Sequence, residues 1–323
     1  MHVVDLSEPP PIDVGDPPGV IVAVGDLDSG DLDSGNAEYW LQRASFTLTE
    51  QPCEDRRTIR VDSLAGVVAD LENRCRTWPT AAAVGDDVLR AHDPAAGAFA
   101  GVVTESLAYS TLQSGAEFAA WLDRRGPRTV PGETDPVLAE RDGDRLCIRF
   151  NRPTRHNAFS TGARVALLDA LDVARLDPSV IEVVLTGAGP SFCSGGDLDE
   201  FGTFADPAAA HLARTRHSPA LVLDELRVRL GDRLHAHVHG QVLGSGLEMA
   251  AFCGRVTAHP QTRMRLPELE LGLIPGAGGT VSISRRIGRW RTAFLFLSGA
   301  FLDAQQALDW GLVDAVSADV PAG

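Results

Sequence analysis

Two glycine-rich turns, each of which follows a predicted strand, constrain the fold of this chain more than any other feature of its sequence. The apolar run 181–185 is followed by a turn at 194–197, and the run 234–238 by a turn at 244–246. Between them, the Ser-Pro pair at 218–219 supplies the cap residue and first-turn proline that favour a helix start. Strand, helix and strand in close succession predict a parallel α/β arrangement.

The two turns are also candidate binding elements. In parallel α/β sheets ligands bind outside the carboxyl ends of the strands, so two neighbouring turns can direct their backbone N–H groups at one oxygen atom. Glycine favours this role, because without a Cβ an incoming oxygen reaches adjacent N–H groups. A tight strand-to-helix turn explains either glycine cluster alone, so the prediction depends on the two clusters occurring together.

Two glutamates lie beside these turns. Glu248 follows the second turn directly, and Glu268 precedes the glycine-rich segment 272–280. Proton transfer at a carbon next to a carbonyl requires a paired acid and base, so this combination predicts an active site. An exposed helix or loop carboxylate is the alternative for each residue. Glu270 lies two residues beyond Glu268 and is interpreted as structural.

Five ordered motifs make the sequence resemble the enoyl-CoA hydratase/isomerase, or crotonase, superfamily over roughly residues 140–315. They are Asn151-Arg152-Pro153 with Asn157-Ala158, the segment 192–197, the segment 239–248, Leu266-Pro267-Glu268 with the segment 272–280, and Gly311-Leu312-Val313. The resemblance implies an α/β crotonase-like spiral of ββα units, a CoA thioester substrate, and a homotrimer or dimer of trimers. Coenzyme A would be part of the substrate, and no separate cofactor is implied.

Carried over by position, the resemblance assigns a role to each polar group. The amides of Gly196 and Ser245 would form an oxyanion hole, Glu248 would activate water, and Glu268 would protonate Cα. Three functions stay open: hydration of a 2-enoyl-CoA; isomerisation, decarboxylation or cofactor-independent oxygenation of an acyl-CoA in specialised metabolism; and a non-catalytic subunit that keeps the fold. Hydration, a lyase reaction, is favoured because both glutamate positions are filled.

The resemblance further suggests contacts with the substrate. Arg152 and Arg155 are candidates for the CoA phosphates, since a guanidinium group can bind phosphate through two hydrogen bonds; ordinary exposed arginines are the alternative. The other predicted substrate-binding residues are Ser194, Gly195, Asp197, Leu198, Gly244, Pro275 and Gly276. Cys193 and Ser194 have no evident base beside them, so a nucleophilic role is disfavoured for both.

The charged residues exclude several classes of function. The formal net charge of −15 and the pI near 5.0 argue against a nucleic-acid surface, which needs clustered positive charge. All 29 basic residues are arginine, and the sequence contains no lysine. Schiff-base catalysis, a pyridoxal-phosphate lysine and a Walker-type phosphate loop are therefore excluded, because each requires an ε-amine.

Cysteine usage and hydropathy predict a soluble cytoplasmic protein. The 5 cysteines are odd in number and scattered, which fits free thiols in a reducing compartment better than a disulfide framework. No apolar run approaches the ~20 residues needed to span a bilayer. The N-terminus is rich in proline and acidic residues and lacks the basic and then apolar pattern of a signal peptide.

No metal site is predicted. His235, His237 and His239 alternate and would share one face of a strand, but polar packing or substrate contact is favoured over metal binding. The acidic repeat over residues 25–34 invites a calcium interpretation. Its spacing places Ala37 where an EF-hand needs a glutamate, so a solvated loop is favoured.

Composition divides the chain into four parts. Residues 1–18 are predicted to be disordered, 19–130 to form an α/β extension of uncertain fold, 131–139 to be a linker, and 140–323 to form the catalytic domain. Within the extension, we predict a strand at 20–24, a helix at 62–76, a strand at 79–84 and helices within 103–124, with Tyr109, Leu112, Phe118 and Trp121 in the core.

The extension raises a further hypothesis. Members of the family usually continue beyond the Gly311-Leu312-Val313 motif with helices that cover the acyl site, and these are expected to be lacking here. The order of elements over 62–84 resembles that over 161–185. We therefore hypothesise that the extension is a degenerate half-copy of the catalytic domain that packs where those helices would lie.

Overall fold

The computed structural model describes residues 1–11, 19–27, 34–204 and 206–320. The predicted disorder at 12–18 and the part of the acidic repeat at 28–33 lie outside the described residues. No helix in the described part of the chain is both long and apolar enough to cross a membrane. All 5 cysteines are free thiols.

The extension begins with a four-stranded parallel sheet. Its elements are β1 (His2–Asp5), β2 (Ile21–Val24), α1 (Ser34–Arg43), β3 (Phe46–Thr49) and β4 (Thr58–Arg60), and the strands lie in the order β1-β2-β3-β4. The strand predicted at 20–24 is confirmed, whereas disorder predicted over 1–18 is wrong at β1. The chain is ordered there because Leu6 is fully buried in a small core with Trp40, whose indole donates a hydrogen bond to the Glu8 carbonyl at 2.8 Å.

Four helices follow this sheet. They are α2 (Leu64–Thr77), α3 (Pro79–Ala91), α4 (Ala98–Gln113) and α5 (Ala116–Arg125). The helices predicted at 62–76 and 103–124 are confirmed, but the strand predicted at 79–84 is wrong. Pro79 takes the first helical position, where its fixed φ suits a helix, and the buried residues of α3 recur at helical spacing. The half-copy hypothesis loses its motivation, because the helix-then-strand order is absent.

The remaining residues build two further sheets and their helices. The strands are β5 (Val137–Asp142), β6 (Arg145–Phe150), β7 (Glu182–Gly187), β8 (Leu234–Val238), β9 (Gln241–Leu243), β10 (Arg255–Ala258), β11 (Arg263–Arg265), β12 (Leu302–Asp303) and β13 (Ala315–Val316). The helices are α6 (Thr161–Leu176), α7 (Pro207–Arg216), α8 (Pro219–Leu230), α9 (Ser245–Phe252), α10 (Gly279–Ser298) and α11 (Ala304–Trp310). Because β5 begins at Val137, the predicted linker 131–139 ends in a strand.

The sheets alternate along the chain as the predicted spiral requires. The larger sheet has the order β13-β10-β8-β7-β6-β5, parallel except for the β5–β6 hairpin, and the smaller sheet has the order β12-β11-β9. The units β8-β9-α9 and β10-β11-α10 each place one strand in each sheet before a helix. This is the expected ββα repeat, and in it the two glycine turns lie close to each other.

One continuous hydrophobic core joins the extension to the rest of the chain. Successive residues of β2 divide between two cores, with Ile21 in the small core against α1 and Val22 in the shared core. In the shared core, the rings of Phe46 in β3 and Phe294 in α10 meet edge to face with centroids 5.5 Å apart. Helices α2, α3 and α4 also pack on α10. The extension is therefore part of the same folded unit as the predicted catalytic domain.

Candidate active site

Most of the predicted site residues surround one cavity of about 400 Å³. The cavity is lined by Ser194, Gly195, Gly196, Leu198, Gly244, Ser245, Glu248, Glu268 and Gly276. Four predicted residues, Arg152, Arg155, Asp197 and Pro275, do not line it. The tertiary structure thus brings together residues from three separate motifs, with both glutamates facing the same space.

The two glycine turns lie side by side because the segment after β7 runs along β9. Cys193 forms a parallel bridge with Val242, and the Leu243 N–H donates to the Cys193 carbonyl at 3.0 Å. A second parallel bridge joins Phe159 to Gly196 through the residues that flank Gly196. Within the described chain, the N–H groups of Gly196 and Ser245 have no hydrogen-bond acceptor, so both are available to an oxygen atom in the cavity.

Glycine is required at two positions of these turns. Gly195 has a φ of +95° and Gly244 a φ of +46°, which lie in the range that L side chains rarely adopt. A Cβ on Gly244 would in addition lie 2.4 Å from Oε1 of Glu268. The sequence signal was therefore informative, because the same glycines that form the turn also leave room for the acidic side chain.

Glu248 lies in the first turn of α9 and is 1% exposed. Its Oε2 atom accepts hydrogen bonds from the N–H groups of Ala277 at 2.7 Å and Gly279 at 2.8 Å. Burial raises the pKa of Glu248 well above its ordinary value, and the neighbouring carboxyls Glu105 and Glu268 raise it further. The two amide donors act in the opposite direction, because they stabilise the carboxylate form.

Glu268 begins the short 3-10 helix Glu268–Leu271 and is also buried. Its Oε2 atom has no hydrogen-bond partner among the described residues. Burial raises the pKa of Glu268 from 4.5 to about 8. At neutral pH this side chain is therefore mainly a neutral carboxylic acid that can donate a proton into the cavity.

Arg152, Arg155 and Asp197 form an ion-pair cluster that does not line the cavity, and their role in substrate binding stays a prediction. Arg152 binds Glu133 at 2.9 Å and Asp197 at 2.8 Å, and its side chain is only 7% exposed. Arg155 bridges Asp197 and Asp199, both at 2.7 Å. The guanidinium donors of Arg152 are already used within the protein. The cluster anchors the turn that carries Gly196.

Two further residues considered in the sequence analysis, Pro275 and Cys193, are both buried. Pro275 directly precedes Gly276, which lines the cavity. Cys193 is fully buried, and burial raises the pKa of its thiol to about 12. A thiol with so high a pKa carries almost no thiolate at neutral pH, which argues against a nucleophilic role.

The three histidines of the alternating motif are hydrogen bonded within the protein. Nε2 of His237 lies 3.0 Å from Nδ1 of His235, and Nε2 of His235 lies 2.8 Å from the Thr257 hydroxyl. His239 contacts the Gly189 carbonyl at 2.8 Å. Burial lowers the pKa of His235 to about 4. Across the residues that the structure describes, no group of three or more His, Cys, Asp or Glu side chains is arranged to hold a metal ion.

The extension supplies cavity residues that motif analysis missed. Tyr109 of α4 lines the cavity, and a Cβ on Gly276 would lie 2.5 Å from its ring. Arg214 of α7 also lines the cavity, with its guanidinium carbon 4.4 Å from the centre of the Tyr109 ring. Glu105 of α4 does not line the cavity, but it is a charged neighbour of Glu248 and Glu268, and its one sequence signal is that it is the single charged residue of α4.

Comparisons with known proteins cover the C-terminal part of the chain. The family model described as Enoyl-CoA hydratase/isomerase matches residues 143–321. The 2,3-dehydroadipyl-CoA hydratase of Escherichia coli strain K12 is 35% identical over 187 residues, which are 56% of this chain and 68% of that protein. Tyr109 and Glu105 precede the residues that the family model matches.

Two solved structures of enoyl-CoA hydratases are also similar to this chain. The enoyl-CoA hydratase of Thermoplasma volcanium GSS1 is similar with a TM-score of 0.50 and 31% identity, over 58% of this chain and 73% of that one. The enoyl-CoA hydratase of Mycobacterium smegmatis is similar with a TM-score of 0.51 and 30% identity, over 57% of this chain and 70% of that one. The similarity in sequence and that in structure therefore identify the same family.

Proposed function

Because this chain belongs to the enoyl-CoA hydratase/isomerase family, we propose that it is an enoyl-CoA hydratase, a lyase that adds water across the double bond of a 2-enoyl-CoA thioester. One observation carries the proposal. Two buried glutamates face a cavity that also receives two unengaged backbone N–H groups, those of Gly196 and Ser245. Hydration needs these four groups together.

The thioester oxygen would bind between the two amides. When hydroxide adds to Cβ, negative charge develops on this oxygen, and the N–H groups of Gly196 and Ser245 stabilise the resulting enolate. By analogy with measured oxyanion-hole substitutions, each donor contributes roughly 3–4 kcal/mol. The amides are fixed by the flanking strand bridges, so little reorganisation is needed during the reaction.

The environments of the two glutamates suit opposite proton transfers. Burial raises the pKa of both carboxyls, but Glu248 also accepts two amide hydrogen bonds from the 277–279 loop that favour its carboxylate, so we assign it as the base that removes a proton from water. Glu268 holds its proton up to a pKa of about 8, so we assign it as the acid that protonates Cα. Water thereby contributes a hydroxyl to Cβ, and the two carboxyls exchange their protonation states. Acid–base help of this kind is worth about 10²–10⁴-fold.

A groove beside the cavity suits the nucleotide end of CoA. It shares Leu198 with the cavity and is lined by Trp121, Arg124, Arg125, Arg128, Leu198 and Asp199. Arg124 and Arg128 are exposed, and neither has an ion pair or hydrogen bond within the described chain. Free guanidinium groups bind phosphate well. These features support CoA as the thiol carrier.

The test is a spectrophotometric assay with crotonyl-CoA and a panel of longer and aromatic 2-enoyl-CoA thioesters. Loss of the conjugated enoyl-thioester absorbance should be rapid for the natural protein and about 10²–10⁴-fold slower for Glu248→Gln and for Glu268→Gln. The control is Glu182→Gln, which alters an exposed carboxyl on β7. Absence of turnover on every thioester, from a folded protein that binds CoA, would contradict hydration.

The two variants also separate hydration from isomerisation. Hydration requires both carboxyls, whereas a proton shuttle between Cα and Cγ can proceed with one base. Activity that survives at one position would favour an isomerase.

From the family alone we also propose a trimer or a dimer of trimers, which light scattering of the purified protein would test.

A further inference from the structure

A third glutamate completes the site from the extension. We propose that Glu105 of α4 is a positioning residue, which holds the loop that binds Glu248 and adds a third carboxyl beside the catalytic pair. The proposal rests on the proposed function of the same site. Glu105 precedes the residues 143–321 that the family model matches, so nothing in the family motifs points to it.

The geometry that carries this inference is an alternation of four consecutive backbone amides. Glu248 accepts hydrogen bonds from the amides of Ala277 and Gly279, and Glu105 accepts them from Gly278 at 2.7 Å and Thr280 at 2.9 Å. The Thr280 hydroxyl also donates to Glu105 at 2.7 Å. Two carboxyls thus hold opposite sides of one turn at the start of α10. A shift of Glu105 would therefore move the donors that orient Glu248.

Glu105 is also an electrostatic neighbour of the catalytic pair. It is 1% exposed, and burial raises its pKa to about 7. Its negative charge raises the pKa of both Glu248 and Glu268. The charged and titratable groups that face this cluster are Tyr109 of α4, Arg214 of α7, Glu248 of α9, and Arg265, Glu268 and Glu270 near the 3-10 helix. The carboxyls share a poorly hydrated space, so ionisation of one makes ionisation of the next less favourable.

A purely structural helix cap is the competing explanation, and the extension contains a matched example. Glu117 of α5 accepts hydrogen bonds from the amides of Thr80 at 2.7 Å and Ala81 at 3.1 Å at the start of α3. Neither glutamate lines the cavity, but Glu105 binds the same loop as Glu248, whereas Glu117 binds the start of α3. Glu105 and Glu117 therefore share the capping interaction and differ in their contact with the site, which makes Glu117→Gln the appropriate control.

The kinetic test compares Glu105→Gln, Glu105→Asp and Glu117→Gln. For Glu105→Gln we expect kcat to fall about 10–10²-fold with KM changed far less, because the substrate contacts remain while Glu248 is displaced. In a plot of kcat against pH, activity should fall at high pH as Glu268 loses its proton. In Glu105→Gln this fall should occur at lower pH. Glu105→Asp keeps the charge but has a shorter side chain. Its kcat should therefore fall, while the fall of activity at high pH stays nearer to that of the natural protein. Glu117→Gln should change neither kcat nor its dependence on pH.

A second measurement does not depend on turnover. With glutamate labelled at the δ carbon, ¹³C NMR follows the titration of Glu248 and Glu268, whose signals are assigned by their own Gln variants. In Glu105→Gln both should titrate at lower pH than in the natural protein. Unchanged titrations would overturn the proposal, as would natural kcat and pH profile in the folded variant. Shifted titrations in a protein that hydrates no enoyl thioester would support the coupling and refute the hydratase function alone.

Discussion

The family-matched region and the extension contribute to the same cavity in different ways. Residues 143–321 supply backbone groups and carboxyls whose positions follow from glycine turns and short motifs. Residues 19–130 supply Tyr109, which lines the cavity, and Glu105, which binds the loop that holds Glu248, both from a helix with no recognisable motif. Site residues held by local backbone geometry can therefore be read from a sequence, whereas residues that packing brings to the site become visible only in the folded structure.

The largest expected effect is that of removing the extension. A fragment of residues 131–323 would expose the faces of Phe294, Phe296 and Val281 in α10 that pack on the extension. Contiguous apolar surface of this kind leads to aggregation. We expect no soluble, cooperatively unfolding fragment, as assayed by size-exclusion chromatography and circular dichroism. A soluble fragment that turns over an enoyl-CoA would show that the two regions are independent.

The next effect concerns stability and pH. The carboxyls of Glu105 and Glu268 lose their protons near pH 4.5 in the unfolded chain, but only near pH 7 and 8 in the folded protein. The unfolded state therefore binds fewer protons over this range, and the free energy of unfolding should fall as pH rises from about 4.5 to about 8.

Urea denaturation at several pH values within that range measures this slope. The variants Glu105→Gln and Glu268→Gln should each reduce this slope, one from the extension and one from the family-matched region. If only Glu268→Gln reduces the dependence of the unfolding free energy on pH, then Glu105 of the extension does not belong to the group of buried carboxyls.

A matched pair of glycine substitutions tests the helix contact between the regions. A Cβ on Gly85 of α3 would lie 2.3 Å from the Phe296 ring, whereas one on Gly66 of α2 would meet only Ser63. We expect Gly85→Ala to lower the free energy of unfolding by about 1–3 kcal/mol, as overpacking does. Gly66→Ala should be neutral or stabilising by up to about 1 kcal/mol. Thermal unfolding of both variants measures this difference. Equal changes in their unfolding temperatures would argue against tight packing between α3 and α10.

The smallest effect tests whether the extension also contacts CoA. The double variant Arg124→Glu, Arg128→Glu should raise KM for a 2-enoyl-CoA about tenfold, since exposed ionic contacts are worth about 0.5–1 kcal/mol each. The same acyl group on N-acetylcysteamine lacks the nucleotide and serves as the matched substrate. If KM rises equally for both thioesters, the two arginines act on the acyl site or on folding.

The site was predicted best where backbone conformation decides function. Gly196, Ser245, Glu248 and Glu268 all reach the cavity as the sequence suggested. The ion pairs of Arg152 could not be predicted, because a sequence shows that a guanidinium group is present but not which carboxylates it meets. Its partners Glu133 and Asp197 lie far apart along the chain and become neighbours only in the folded structure.

The family, the spiral of ββα units, and the glutamates and glycine turns of the site could be predicted without the structure, because they depend on short segments with fixed spacing. The folded structure was needed to show that Arg152 pairs with Glu133 and Asp197 and that Glu105 meets the amides of Gly278 and Thr280. Those outcomes depend on burial against distant segments. Neither the partner of a buried face nor the neighbour of a buried charge is encoded in any local pattern.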